Sequence, residues 1–455
     1  MTADSSGKSA GKVFDYAEFL PKTRFIDANT VGYESVKNET KVKLFSLSAP
    51  SSSLLAEKIA TYSKNPLTEA ANDLSDTSNV FRHAVLYSDE NNLMDALSTS
   101  PKTFDAIKAP PPKLCFIVTC QGTQYMGMGK NVYEWSPVFR YHFDECDAII
   151  KGISGISVKE LMHSDQDNWI ESPLEALPYT LSLQYALSRL YESWGIKPDF
   201  VLGLSFGEYG AAIISGMISL EDGIKMIMNR AKLVIDNIEE EAFGVVEINA
   251  SKFETAMEQL KKEDGMEDAW LEIAGCNSPL QTCVVGHRKT VHKFVEICKG
   301  TGVRCMLMDP YHPYHSRLCA PVIPQFEKIT SQVQYNKATN GKFISTVRNG
   351  RVLETLDKDY YLEHLQGPAL FMNAIATVVK DEGVTHFLEV GPHPINIQMV
   401  KDILQNEYPE LGTNFEFYSS LLRKGRDRTT LLNTLGRLYT AGCGVNWDNI
   451  NKLMD

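Results

Sequence analysis

One short segment, Val201 to Tyr209, constrains this chain more than any other. It places Ser205 between Gly203 and Gly207 as G-x-S-x-G, with an apolar stretch before it and small residues over 210–216 after it. This pattern predicts a strand, a tight turn and a helix, which is the setting of a nucleophile elbow. Such a turn lifts the serine hydroxyl above the sheet and presents backbone N–H groups to an anion forming beside it.

Charge and cysteine content restrict the partners and the compartment. The formal net charge of −12 argues against nucleic acid, which needs a basic surface, and against general attraction to an anionic membrane. No stretch reaches the roughly 18 apolar residues of a membrane span, and the polar N-terminus lacks a signal-peptide core. Nine cysteines occur without a C-x-x-C pair. We therefore expect a cytoplasmic protein with reduced thiols and no metal.

The rest of the chain alternates strand-like and helix-like segments. Leu114–Val118 has the composition of a buried strand, and a helical pattern over 178–194 leads into the strand before Ser205. This alternation is typical of a mostly parallel sheet with helices on both faces. We predict an α/β fold whose main part is a parallel-sheet domain like that of the α/β-hydrolases.

Residues 241–308 depart from this simple alternation of strands and helices. Two helical segments (252–261 and 289–299) separate four strand-like ones in the order β-α-β-β-α-β, which predicts an inserted ferredoxin-like subdomain. The strand-like segments are Gly244–Ile248, Leu271–Ala274, Thr282–Val285 and Val303–Leu307. Near the end of the chain, a basic cluster precedes an amphipathic helix predicted to end near Trp447.

Five segments, in their order along the chain, carry a resemblance to a known family. They resemble the motifs G-Q-G-x-Q-x-x-G-M-G, G-H-S-x-G-E, N-S-P-x-Q-x-V-I-x-G, H-A-F-H-S and F-L-E-V-G-P-H-P of the acyl-CoA:acyl-carrier-protein transacylases. This family includes the acyltransferase domains of polyketide and fatty-acid synthases, and the chain resembles the malonyl-type domain of polyketide synthases. The segments are Gln121–Gly129, Gly203–Glu208, Asn277–Gly286, His312–Ser316 and Phe387–Pro394.

The resemblance also implies a division of the chain into five parts. An extension without an assigned role comes first, and a small α/β adaptor like the linker between ketosynthase and acyltransferase follows. The large and ferredoxin-like subdomains come next, and a post-acyltransferase linker ends the chain. The predicted limits are 1–40, 41–112, 113–240 with 309–412, 241–308 and 413–455.

The resemblance assigns catalytic roles to four residues. Ser205 would be the nucleophile and His315 its general base, forming a dyad whose imidazole is oriented by a main-chain carbonyl rather than by an acid. The backbone N–H groups of Gln121 and Phe206 would hold the oxyanion. The reaction would be ping-pong: an acyl group passes from CoA to Ser205, then to the phosphopantetheine thiol of a carrier protein. The resemblance implies no bound cofactor, since the phosphopantetheine would belong to the partner.

Other residues bear on the acyl group and the partner. Arg230 stands where malonyl-loading members carry an arginine, and its guanidinium can bind a free carboxylate with two hydrogen bonds. His312, Tyr314 and Leu204 are expected to line the acyl pocket. The implied partner is an acidic acyl carrier protein, and a ketosynthase partner is left open. A basic cluster is a candidate docking surface for the carrier: Arg423, Lys424, Arg426 and Arg428.

The chain departs from the family pattern at several positions. Thr119 and Cys120 replace a P-G pair, Leu204 replaces the histidine before the nucleophile, and Leu177 replaces a glutamine. If Leu177 and Leu204 face each other, an apolar contact replaces a hydrogen bond and leaves no polar group unsatisfied. These changes bear on the choice of acyl group more than on the type of reaction.

Several alternatives stay open at this point. An acyl hydrolase that edits stalled carriers, a loader of an unusual non-malonyl group and a catalytically silent docking subunit are each compatible with the fold. A lipase or esterase also carries G-x-S-x-G, but it needs an acid before the histidine that nothing here marks. Arg230 could also be a surface arginine in an ion pair. Whether the chain is a discrete trans-acting protein or part of a megasynthase is not decided by these residues.

Overall fold

The computed structural model describes residues 39–65, 76–423 and 425–454. Almost all of the predicted extension over residues 1–40, and Lys424 of the basic cluster, lie outside these ranges. Within them, no helix is both long and apolar enough to cross a membrane.

The first part is a two-stranded antiparallel sheet with two helices. Strand β1 pairs along its whole length with β2, and the side chains of Ser51 and Asp89 cap the two helices by accepting hydrogen bonds from backbone N–H groups three residues on. A separate small core lies between sheet and helices. The elements are β1 (Lys43–Ala49), α1 (Ser52–Tyr62), β2 (Phe81–Tyr87) and α2 (Glu90–Ser98).

The chain then enters the larger sheet and builds much of its helical cover. Helix α6 (Pro173–Ser193) carries Pro178 in its interior and begins five residues before the predicted start at that proline. The elements are β3 (Leu114–Val118), α3 (Lys130–Trp135), α4 (Pro137–Ser154), α5 (Val158–His163), α6 (Pro173–Ser193), β4 (Phe200–Gly203), α7 (Gly207–Ile214) and α8 (Leu220–Asn237).

A four-stranded antiparallel sheet follows, with the strand order β6-β7-β5-β8. Its element order is the β-α-β-β-α-β pattern anticipated from the sequence. Strand β8 runs to Tyr311, three residues past the predicted limit at 308. The elements are β5 (Glu241–Val246), α9 (Ala250–Leu260), β6 (Leu271–Ser278), β7 (Gln281–Gly286), α10 (Arg288–Gly300) and β8 (Cys305–Tyr311).

The chain returns to complete the large sheet and ends in two helices. The predicted single helix ending near Trp447 is wrong. Helix α15 (Asp427–Ala441) stops at Ala441 because Gly442 adopts a left-handed backbone with φ of 108°, and a second helix starts at Trp447. The elements are α11 (Ile323–Thr330), β9 (Lys342–Ile344), β10 (Val352–Leu353), α12 (Tyr360–Gln366), α13 (Phe371–Ala376), β11 (His386–Val390), α14 (Asn396–Glu407), β12 (Glu416–Ser419), α15 (Asp427–Ala441) and α16 (Trp447–Met454).

The large sheet has the order β10-β9-β4-β3-β11-β12, parallel except for β10. Its central strands are apolar throughout because both faces are covered. Alternate residues pack into different cores: Val118 and Val201 on one face, Ile117 and Leu202 on the other. The predicted α/β fold with a parallel-sheet core is confirmed.

The prediction that Leu177 and Leu204 face each other is wrong. Leu177 packs in the core on the α6 face of the sheet, whereas Leu204 packs in the core on the opposite face. The apolar contact proposed to replace a hydrogen bond is therefore absent. Each leucine is instead an ordinary core residue of its own layer, and the inferred link between them and acyl selectivity has no structural basis.

Two glycines allow the turn that follows β4. A Cβ at Gly203 would lie 2.1 Å from the carbonyl carbon of Gly207, and one at Gly207 would lie 2.3 Å from the Val118 carbonyl oxygen. Both obstacles are backbone atoms, which cannot move without disturbing the sheet. The G-x-S-x-G spacing is therefore a packing requirement as much as a chemical one.

We expect Gly207→Ala to destabilise the fold by about 3 kcal/mol or more, since the added methyl group overpacks against backbone. Gly152→Ala is the matched control, because Gly152 lies inside α4 with no atom within 4 Å of an added Cβ. That control should raise stability by about 0.5–1 kcal/mol. Thermal melting of both variants checks the pair, and equal melting temperatures would contradict the steric argument.

Candidate active site

Ser205 lies at the carboxyl end of β4, where parallel α/β sheets commonly bind ligands. Its backbone is left-handed, with φ of 52°, a conformation that costs a non-glycine residue roughly 1–2 kcal/mol. The turn holds it there, since Gly207 N–H donates to the Leu204 carbonyl and Glu208 N–H donates to that of Ser205. The predicted strand–turn–helix around this serine is what the structure shows.

His315 comes to Ser205 from the loop after β8. Its Nε2 lies 2.6 Å from Ser205 Oγ, and its Nδ1–H donates to the Gly367 carbonyl at 3.0 Å. Because a carbonyl can only accept, Nδ1 carries the proton and Nε2 is left to accept from the serine hydroxyl. The main-chain carbonyl that the sequence could not identify is thus that of Gly367.

The environment of His315 keeps its ring neutral. Burial, and after it the positive charge of Arg230, lowers the pKa of His315 to about 4. The free imidazole is therefore unprotonated at neutral pH and able to accept a proton. Its main-chain φ of 64° is also left-handed, so both members of the pair occupy strained backbone positions, as functional residues often do.

Arg230, on α8, is 2% exposed and lies close enough to His315 for its charge to lower the pKa of that ring. Its guanidinium lies 4.2 Å from the Tyr314 ring centroid and 5.7 Å from that of Tyr209. Within the described chain, its Nε and Nη1 have no hydrogen-bond partner and no carboxylate forms an ion pair with it. The surface ion pair considered as an alternative is therefore excluded. A buried cation without a counter-charge is costly, and a ligand anion would compensate it.

The residues expected to line the pocket divide into two groups. Tyr314 packs on Arg230, and the rings of Tyr314 and His312 are 6.1 Å apart. The Nδ1 of His312 and the hydroxyl of Tyr314 are both buried without a partner in the described residues. Leu204 is buried in the core on the face of the large sheet opposite to that of Leu177, and its place in the acyl pocket stays a prediction. Burial lowers the pKa of His312, so this second imidazole is also held neutral.

The two backbone donors expected for an oxyanion flank the serine. Phe206 follows Ser205 in the turn, and Gln121 lies just beyond β3, the strand beside β4. Among the described residues, neither N–H donates to a protein acceptor. Both groups are therefore available to a ligand oxygen.

Two buried carboxylates near the site have a structural role, because each accepts hydrogen bonds that join neighbouring segments. Glu208 accepts hydrogen bonds from Thr346 N, Thr346 Oγ1 and the Tyr360 hydroxyl at 2.6–2.7 Å. Glu389 accepts three backbone N–H groups at the start of α14. Burial raises the pKa of each to about 7. Since their oxygens serve these partners, neither carboxylate is the third member of a triad.

One residue in contact with the nucleophile was not singled out from the sequence. His364, near the end of α12, is 1% exposed, and its Nε2 lies 2.9 Å from the Ser205 carbonyl oxygen. The rings of His315 and His364 are 5.0 Å apart. No motif or spacing in the sequence marks His364.

Arg423, the first residue of the basic cluster, lies beside the loop that carries Gln121. Arg423 donates from Nη2 to the Gln124 carbonyl at 3.0 Å, and its guanidinium lies 5.6 Å from the Tyr125 ring centroid. Arg428 stacks on Trp135 at 5.1 Å. Both arginines are half-buried. Arg423 therefore supports this loop, and Arg428 packs on the end of α3. Their role in docking stays a prediction.

Comparisons with known proteins agree on one family. A profile of the acyl transferase domain family matches residues 115–443. Non-reducing polyketide synthase 1 of Elsinoe fawcettii is 27% identical over 384 residues, which cover 82% of this chain and 16% of that protein. The chain thus spans about a sixth of the length of such relatives.

Solved structures show the same fold. The acyltransferase domain from module 8 of the salinomycin polyketide synthase is 22% identical, covers 90% of this chain and 98% of that domain, and superposes with a TM-score of 0.76. A malonyl CoA-acyl carrier protein transacylase from Clostridium perfringens is 26% identical, covers 72% of this chain and 97% of that chain, and has a TM-score of 0.61.

Proposed function

The chain belongs to the acyl transferase domain family, and from that premise we propose that it moves a malonyl-type acyl group from CoA to the phosphopantetheine thiol of an acyl carrier protein. The transfer passes through an ester on Ser205. The observation that supports the malonyl assignment best is Arg230, a buried guanidinium with unpartnered N–H groups beside the dyad. The placement of Ser205, His315 and the two backbone donors supports the reaction type.

In the first half-reaction, Ser205 Oγ attacks the thioester carbonyl carbon while its proton passes to His315 Nε2. The negative charge formed on the carbonyl oxygen is held by the N–H groups of Phe206 and Gln121. When the tetrahedral intermediate collapses, the carbon–sulfur bond breaks and the CoA thiolate takes the proton from Nε2. An acyl ester on Ser205 and free CoA remain.

The second half-reaction runs the same steps in reverse order with a different thiol. His315 Nε2 accepts the proton of the phosphopantetheine thiol, and the thiolate attacks the ester carbonyl carbon. The Ser205 oxygen then leaves and recovers the proton from His315. Through both halves the malonyl carboxylate is bound by Arg230, so the acyl group keeps one orientation.

The test is intact-mass measurement after brief incubation with malonyl-, methylmalonyl- or acetyl-CoA, followed by addition of a holo carrier protein. We expect a malonyl adduct that maps to the Ser205 peptide and moves to the carrier. Rapid release of free malonate without a carrier would favour the hydrolase alternative. An adduct with acetyl-CoA alone would favour an uncharged acyl group, and no adduct with any donor would favour the docking subunit.

A further inference from the structure

A four-residue segment at the end of α12 contacts both members of the dyad. The Leu365 carbonyl accepts the backbone N–H of His315 at 2.9 Å, and the Gly367 carbonyl accepts its Nδ1–H at 3.0 Å. The side chain of His364 reaches the other way and contacts the Ser205 carbonyl through Nε2 at 2.9 Å. Residues 364–367 therefore connect the base to the backbone of the nucleophile.

His364 contacts the peptide unit between Ser205 and Phe206. The carbonyl of Ser205 and the N–H of Phe206 belong to one peptide unit, which is planar and trans, so the two groups point in opposite directions. The Ser205 oxygen accepts hydrogen bonds from both the Glu208 N–H and His364 Nε2–H, each at 2.9 Å. Together these two hydrogen bonds fix where the Phe206 N–H points, and His364 supplies the side-chain part of this restraint. Accepting a hydrogen bond at the oxygen also polarises the amide and strengthens its N–H as a donor.

The ring of His364 is in the right state and position to do this. Since a carbonyl only accepts, Nε2 must carry the proton, and burial lowers the pKa of His364 well below its ordinary value, which keeps the ring neutral. Its ring packs edge-on to Tyr209 at 5.5 Å. At the other end of the helix, the Tyr360 hydroxyl donates to Glu208 at 2.7 Å, so α12 is attached to α7 as well.

We propose that His364 is a positioning residue for the oxyanion hole: by holding the Ser205 carbonyl, it aims the Phe206 N–H at the oxyanion formed during acyl transfer. This assignment rests on the proposed function, because it concerns the oxyanion of that reaction. It does not make His364 a second base, since its protonated nitrogen faces a carbonyl and not the serine hydroxyl.

The test compares His364→Ala and His364→Gln in the full chain. Glutamine carries an amide N–H that can reach about as far as Nε2, whereas alanine offers no donor. Single-turnover acylation by malonyl-CoA gives the rate constant, and malonyl-CoA binding to the same variants in a Ser205→Ala background gives the dissociation constant. We expect His364→Ala to lower the rate constant about 10–100-fold, less than the loss of a direct oxyanion donor, with binding unchanged within about threefold.

His364→Gln should recover at least about tenfold of that loss, with the pH midpoint of acylation where it is in the parent protein. The matched control is His83→Gln, which removes a buried histidine that hydrogen-bonds Ser100 at 2.8 Å in the adaptor; it should leave the acylation rate unchanged. An alanine variant as fast as the parent would overturn the proposal. The proposal would also be overturned if the alanine and glutamine variants were equally impaired and each lost malonyl-CoA binding along with the acylation rate. That result would indicate a general structural role for His364. If the parent chain forms no ester with any acyl-CoA, the proposed function itself has failed.

Discussion

Replacing His315 by glutamine is expected to slow acylation of Ser205 by malonyl-CoA about 10³-fold, within the range that general bases contribute. The glutamine amide can still hydrogen-bond to Ser205, but it cannot accept the proton that Oγ must lose. The oxyanion donors and Arg230 remain in place, so binding of malonyl-CoA should change little. Rapid-quench intact-mass measurement gives the rate, and the His83→Gln protein is the control for loss of a buried imidazole.

The pH dependence of the parent protein follows from the same residue. The pKa of His315 is lowered to about 4, so the free base is lost only as the pH falls through that value. The rate constant divided by the malonyl-CoA dissociation constant should therefore rise near pH 4 and stay level toward neutrality. A histidine with an ordinary pKa would give its rise near 6.5. A rise near 6.5 would contradict the lowered pKa of His315. A His315→Gln protein within about tenfold of the parent would contradict its assignment as the base.

Much of the site could be predicted because its reactive side chains lie in short sequence motifs. Ser205 stands between two glycines, a pattern that indicates a close approach of backbone segments. The structure shows this approach, because a Cβ at either glycine would collide with backbone atoms. His315 and Arg230 came from the family resemblance, and the structure brings His315 to Ser205 and buries Arg230 beside it. The parallel sheet followed from apolar strands that alternate with helices, a pattern produced by burial on both faces.

The parts that were missed have no such signal. The carbonyl of Gly367 has no side chain to mark it, and His364 depends on how α12 packs against the Ser205 turn. Leu177 and Leu204 were paired wrongly because both are apolar, and the face that each one occupies is decided by its element and not by its type. The break after Ala441 rests on the backbone of one glycine, which an amphipathic pattern does not reveal.

Replacing Arg230 by methionine should invert the preference among acyl donors. Methionine keeps part of the side-chain volume between Tyr209 and Tyr314 but removes the charge that would meet the malonyl carboxylate. Two charge-assisted hydrogen bonds are lost, so kcat/KM for malonyl-CoA should fall about 10²–10³-fold. Acetyl-CoA has no carboxylate to lose a partner, and its transfer should stay within about tenfold of the parent or improve. Lys232→Met is the control on the same helix, because Lys232 is exposed and pairs with Asp236.

The same variant carries an independent signature in the pH profile. Arg230 is the second cause, after burial, of the lowered pKa of His315, so removing its charge should raise that pKa and move the rise of acetyl transfer to higher pH. A bound malonyl carboxylate should act in the same direction in the parent, because it neutralises the guanidinium and makes His315 a stronger base while substrate is bound. Parallel loss of malonyl and acetyl transfer, with no shift of the profile, would assign Arg230 a structural role in place of carboxylate recognition.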